Sequence, residues 1–190
     1  SPDMNRKGGP QYSTTCGPFG VAAGVARLLG LDASGIEHAM GIAGAHAGGL
    51  MQYDQGGGTV KRIYTAVAAE SGIESAQLAR AGLTGPAGIL EGARGLLRIY
   101  SKTFQPERLT DGLGERWTMD TLYFKPYSCC GGIHAAIDGL RSIITTHQLD
   151  ADEIDKITVG YPTGIHTHVA VTDPLDELGM QFSKIGRAHV

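Results

Sequence analysis

Lys61 and Arg62 stand just behind three consecutive glycines, in Gly56-Gly57-Gly58-Thr59-Val60-Lys61-Arg62. Glycines let a backbone approach a ligand closely. A helix starting at Thr59 would present free N–H groups and the positive end of its dipole to the same ligand. With two cations added, the segment suits a carboxylate or a phosphate. Its spacing is not that of a Walker loop, which needs a glycine, four residues and then Gly-Lys-Ser/Thr. The competing reading is a turn with a solvated basic pair.

A second group is Phe124-Lys125-Pro126-Tyr127-Ser128-Cys129-Cys130-Gly131-Gly132-Ile133-His134. Lys125 closes an extended stretch, and His134 falls in the first turn of the next helix. The helix dipole disfavours a cation there, so a neutral imidazole acting as base or hydrogen-bond donor is one expectation. A histidine bonded to nearby backbone is the other. The vicinal cysteines point only weakly to redox chemistry. His166-Thr167-His168 would put two imidazoles on one face of a strand, but no third ligand stands nearby, so no metal site is expected. His46 reads as structural. No nucleophile elbow, dinucleotide fingerprint or His-Glu-x-x-His is present.

The elements that must position these groups are mainly helical. Thr15 is a candidate cap for a first helix carrying Phe19, Val21, Val25, Leu28 and Leu29, with Pro18 near its first turn and Gly30 ending it. Asp32 caps a second, with Ile36, Ala39, Met40, Ile42 and Ala43 on one face. Thr59 opens a third that runs through Gly72 towards Gly82. Thr84-Gly85-Pro86 reads as the start of a short helix, and another turn or two follows Gly95. After Trp117 the pattern changes. Leu122 to Tyr127 is extended, Gly132 to Gln148 is an amphipathic helix, and Ile154, Ile157 and Val159 alternate as in a strand. The fold expected is mostly α. Residues 1–117 form part of a helical domain, and 118–183 the start of a smaller α/β domain.

Composition narrows the function classes. The 190 residues carry a net charge of -3, which argues against non-specific nucleic-acid binding. No run approaches the roughly 18 apolar residues of a membrane span. Cys16, Cys129 and Cys130 form neither a disulfide framework nor a zinc spacing, which suggests a reducing, cytoplasmic setting. Glycine, at 29 residues, is about twice its usual share of roughly 7%. Its dispersal through apolar segments points to close helix packing, not to linkers.

Several motifs in order resemble the MmgE/PrpD family. They are Thr14-Thr15-Cys16-Gly17-Pro18-Phe19-Gly20, Gly41-Ile42-Ala43-Gly44, Gly48-Gly49-Leu50-Met51, Val60-Lys61-Arg62 and Leu83-Thr84-Gly85-Pro86. The strongest are Phe124-Lys125-Pro126-Tyr127-Ser128-Cys129-Cys130 and His134-Ala135-Ala136-Ile137-Asp138, with Glu153-Ile154-Asp155-Lys156-Ile157 following. The resemblance spans roughly residues 9 to 183. It implies a helical domain with an α/β lid, a homodimer, and no metal or other cofactor. The family includes 2-methylcitrate dehydratases of propionate metabolism, cis-aconitate decarboxylases and an iminodisuccinate epimerase. Their shared chemistry is proton transfer next to a carboxylate. A base must take a weakly acidic proton, and cations must hold the carboxylates and the developing charge.

Carried onto this chain, the resemblance implies Lys61 and His134 as catalytic residues, with Arg62, Lys125 and Gln11 binding the substrate. Where the family often has histidines, this chain has Gln11 and Tyr64. The activity it implies is a hydro-lyase reaction on a small di- or tricarboxylate. An isomerase, an epimerase, a decarboxylase or a non-catalytic carboxylate binder are the alternatives. The family's Asp-Asp-Thr-His segment and its C-terminal continuation are not seen, so the chain reads as an internal fragment, inactive alone. Residues 184–190 read as a non-native tail, because Ile185 to Val190 matches one frame of a common sequencing adaptor.

Overall fold

In the computed structural model, which describes residues 10–101, 103–160, 169, 171 and 173–183, the chain is mostly helical, as expected. Its contacts divide it into two units. One is built from the chain up to Met51 and from Val60–Arg116. The other is built from Gln52–Thr59 and the chain from Trp117 onward.

In the first unit, helix α1 (Tyr12–Leu28) starts earlier than the Thr15 cap read from the sequence. Gln11 takes that role, its side-chain carbonyl accepting from Thr14 N at 3.2 Å. Pro18 therefore lies inside the helix and not in its first turn. A proline there offers no N–H to the carbonyl four residues back. That carbonyl is Thr14 O, and Gly48 N donates to it at 3.2 Å instead, so the acceptor is not orphaned. The helix ends where expected. Gly30, at a φ of 79°, adopts the left-handed conformation that glycine tolerates. Gly30 N donates to Arg27 O at 3.1 Å and Leu31 N to Ala26 O at 3.0 Å, the two bonds of a Schellman end.

Helix α2 (Ala33–Ala43) is capped as read, with Asp32 accepting from Gly35 N at 2.9 Å. Helix α3 (Tyr53–Gly56) is a single turn of the second unit. Thr59 does not open the next long helix. Thr59–Ile63 is a 3-10 segment, and helix α4 (Tyr64–Arg80) follows from Ile63 without a side-chain cap. The short helix expected at Thr84-Gly85-Pro86 is also absent, because that segment packs flat on α2. A Cβ on Gly41 would lie 2.6 Å from Pro86 O, and one on Gly85 2.5 Å from His38 O.

Helices α1, α2 and α4 pack on one another around Phe19, Ala22, Ala26, Ala39, Ala43 and Ala76. This core is made mostly of alanine, so its contacts depend on axes that approach closely. The glycines make that approach possible: a Cβ on Gly17 would meet Ala68 at 2.9 Å, and one on Gly72 would meet Val21 at 2.5 Å. Helix α5 (Leu96–Tyr100) and a 3-10 turn at Pro106–Leu109 complete the unit.

In the second unit, a 3-10 turn (Thr118–Thr121) leads into an extended but unpaired stretch, where Phe124 is fully exposed. Helix α6 (Gly131–His147) follows close to the range read from periodicity. Its buried Ile133 packs with Cys129 and Val169. The strand expected around Ile154, Ile157 and Val159 does not form a ladder. Among the described residues, strand pairing is limited to a single bridge, Val171 to Ser183. Alternation gives a segment two faces but supplies no partner strand, and Ile157 and Val159 are exposed here. Helix α7 (Glu177–Gln181) carries the segment that meets α3, with the Phe182 and Tyr53 rings 5.8 Å apart. His166, His168 and the tail at 184–190 lie outside the described residues.

Candidate functional site

The first unit holds Gln11, Lys61 and Arg62. Lys61 is half-buried in the 3-10 segment ahead of α4, and Arg62 beside it is exposed. Both residues make further interactions within the protein. Gln11 is engaged locally. Its amide caps α1, and its Nε2 donates to Ser13 Oγ at 3.3 Å.

The loop after α2 meets this region. Gln11 N donates to Gly49 O at 3.2 Å. Gly49 has a φ of 132°, and a Cβ there would fall 2.1 Å from Thr14 Oγ1, so the position excludes a side chain twice over. One residue on, Leu50 O accepts from the Tyr64 hydroxyl at 2.7 Å. Gln11 and Tyr64 therefore hold one loop from two helix starts. Nearby, burial raises the Tyr12 phenol above its ordinary value, with the Cys16 charge adding to it. Partial burial also raises the Cys16 thiol, although the residue as a whole stays solvent-accessible.

The glycine segment read as an anion loop belongs to the second unit, and a carboxylate of the protein already sits on it. Gly58 N donates to Asp176 Oδ2 at 3.2 Å, while Asp176 Oδ1 accepts from Gly179 N at 2.6 Å. Asp176 thus caps α7 and fastens the loop with one side chain. The sequence reading missed this residue. Asp176 followed by Glu177 and Gly179 is a legible cap, but nothing in the order of residues says that it also reaches residue 58.

Lys125 and His134 belong to the same second unit. Lys125 Nζ donates to Cys129 O at 3.5 Å, folding the Lys125-to-Cys130 turn back on itself. Cys130 N donates to Gln181 O at 2.9 Å, tying the turn to the end of α7. His134 lies in the opening of α6, as read. Its Nε2 is shielded from solvent and has no hydrogen-bond partner among the described residues. The Tyr127 ring stands edge-on to the imidazole, with centroids 5.3 Å apart at 83°. The Tyr127 hydroxyl donates to Asp138 Oδ1 at 2.5 Å and accepts from Arg141 Nη1 at 3.3 Å. Tyr127, Asp138 and Arg141 were not singled out from the sequence. Their signal was the i, i+4, i+7 spacing of His134, Asp138 and Arg141, which puts all three on one helix stripe.

Taken each by itself, the first unit presents cations at Lys61 and Arg62, and the second presents the Lys125 ammonium and a shielded imidazole. Among the described residues, no three His, Cys, Asp or Glu side chains gather as metal ligands would, and no helix is long and apolar enough to cross a membrane.

The model of the MmgE/PrpD N-terminal domain matches residues 3–109. The cis-aconitate decarboxylase-like protein oryM of Aspergillus oryzae is 35% identical over 162 residues, covering 78% of this chain and 33% of its own length. A cis-aconitate decarboxylase of Aspergillus terreus is 34% identical over 139 residues, covering 67% and 28%. The human cis-aconitate decarboxylase is 30% identical over 129 residues, covering 67% and 26%. The chain spans about a third or less of the length of these relatives.

Proposed function

The chain belongs to the MmgE/PrpD family, and on that premise we propose that it is part of a lyase that decarboxylates a small tricarboxylate of the cis-aconitate type. The observation that carries this reading is the likeness to cis-aconitate decarboxylases of Aspergillus terreus and human, and to a cis-aconitate decarboxylase-like protein of Aspergillus oryzae. In such a reaction one C–C bond to a carboxylate breaks and CO2 leaves. The electron pair left behind spreads towards a remaining carboxylate and is then captured by a proton.

That sequence of events needs two services. Cations must hold the remaining carboxylates and the charge that builds on them, work for which the first unit has Lys61 and Arg62 and the second has Lys125. A group must deliver the proton, a role assigned to His134. Gln11 has two local bonds to give up before its amide can meet a substrate.

A second reading keeps the same groups but breaks a C–O bond. A base takes the proton next to a carboxylate and hydroxide leaves as water, as in the 2-methylcitrate dehydratases that the same family includes. One experiment separates the two. The complete protein is incubated with cis-aconitate and with 2-methylcitrate, and CO2 release and alkene formation are followed. CO2 from cis-aconitate with no dehydration of 2-methylcitrate supports the decarboxylase. Dehydration without CO2 replaces it with the second reading. Tight binding of both acids without turnover would leave a carboxylate-binding protein.

A further inference from the structure

We propose that Tyr127 is a positioning residue for His134, a proposal that rests on the reading of His134 as the proton-transfer group. The warrant is a three-point arrangement on α6. His134, Asp138 and Arg141 are spaced i, i+4 and i+7, so they form one stripe along the helix. Tyr127, from the turn before the helix, lies along that stripe. Its ring meets the His134 ring edge-on, and its hydroxyl is held between Asp138 Oδ1 and Arg141 Nη1.

The hydrogen-bond directions decide what Tyr127 can do. A phenol has one proton to donate. Here that proton goes to Asp138, and a lone pair takes the Arg141 N–H. The hydroxyl is thereby committed to the latch, and the effect of Tyr127 reaches His134 through its ring. An imidazole turns about its terminal torsion in a broad, roughly two-fold well, so a ring at the opening of a helix needs a neighbour to fix its plane. The Tyr127 ring supplies that neighbour, and the latch supplies the stiffness of Tyr127. The nitrogen whose direction is fixed is Nε2, the atom that is shielded and unpartnered among the described residues. The latch itself sits where Asp138 and Arg141 are exposed, so it can be cut without opening the core.

The test uses the complete protein with Tyr127→Phe, Tyr127→Leu and Asp138→Ala. Tyr127→Phe and Asp138→Ala keep the ring and cut the latch; Tyr127→Leu removes both. Loss of orientation at a proton-transfer group can cost about a hundredfold. We expect kcat to fall roughly tenfold in the latch variants and about a hundredfold in Tyr127→Leu, with KM within about twofold. In a His134→Asn background, Tyr127→Leu should cost no further activity. The side-chain nitrogen signals of His134 should be single and sharp in the parent protein and should broaden or double in each variant.

An unchanged kcat in Tyr127→Leu would overturn the proposal. So would an equal further loss in the His134→Asn background, or His134 signals that ignore the substitutions. If a Tyr127 variant does not fold, Asp138→Ala carries the same test from the exposed end. A parent protein that turns over no carboxylate removes the proposed function, and the His134 signals then decide the latch by themselves.

Discussion

Gln11 and Tyr64 bind neighbouring carbonyls of one loop. Gln11 N donates to Gly49 O at 3.2 Å, and the Tyr64 hydroxyl donates to Leu50 O at 2.7 Å. The family resemblance implies histidines at these two positions. In this chain both residues hold backbone, so the start of α1, the loop after α2 and the start of α4 form one hydrogen-bonded assembly.

Removing the Tyr64 hydroxyl should cost about 1 kcal/mol, the usual net worth of one hydrogen bond. Gln11→Ala should cost roughly 0.5–2 kcal/mol, as for other lost helix caps. Gln11 meets the loop through its backbone N–H, which alanine keeps, so the double variant should lose the sum of the two costs to within about 0.5 kcal/mol. Urea unfolding of the four proteins closes the cycle. A larger departure from the sum would show that the Gln11 side chain and the Tyr64 hydroxyl are coupled.

Glycines in the helices should divide into two kinds. Gly72 faces α1, where an added Cβ would lie 2.5 Å from Val21 and 2.8 Å from Pro18 O. Gly72→Ala should therefore destabilise by about 1–3 kcal/mol through overpacking. Gly24, inside α1, would meet nothing within 4 Å. Gly24→Ala should stabilise by roughly 0.5–1 kcal/mol, the helix-propensity difference. Thermal melts of both variants check the pair, and shifts of the same sign would contradict it.

Cys16 should alkylate sluggishly. Burial raises its thiol above the ordinary range. The sign follows directly: a raised thiol pKa leaves less thiolate at a given pH, and the thiolate is the reacting form. The rate with iodoacetamide, followed at this site by mass spectrometry from pH 7 to 10, should rise later than that of a free cysteine peptide. A curve that rises earlier would reverse the direction.

Lys61→Ala should abolish turnover of the complete protein while leaving its melting temperature within a few degrees. Arg62→Ala, at an exposed neighbour, should reduce activity by less than tenfold. Near-normal turnover in Lys61→Ala would remove Lys61 from the catalytic group.

The helices were legible because their signals are local. Asp32 three residues before Gly35, Gly30 after an apolar run, and the apolar face of α6 each sit within a turn or two of what they determine. Errors arose where a distant partner decides. Thr15 reads as a cap, yet Gly48 supplies the hydrogen bond that Pro18 cannot make, and the helix starts earlier. Thr84-Gly85-Pro86 looked like a helix start, but the backbone of α2 lies against it. The alternation at Ile157 and Val159 had no partner strand to meet. The candidate site divides the same way. Lys61, Lys125 and His134 stood out by type and neighbourhood, whereas Tyr127 and Asp176 matter through residues that only the fold brings to them.

The carboxylate shared by Gly58 and Gly179 has a consequence for biosynthesis. Asp176 lies 118 residues beyond Gly58 in the chain. At about 5–20 residues per second, a ribosome needs roughly 6–24 seconds to deliver it after the glycines emerge. During that interval Gln52–Thr59 has neither the Asp176 carboxylate nor the Phe182 ring to meet Tyr53, although α1, α2 and α4 are already available to one another. The segment leading into Lys61 is thus among the last parts to be fixed, and a nascent chain stalled before Asp176 would expose it to cellular proteases.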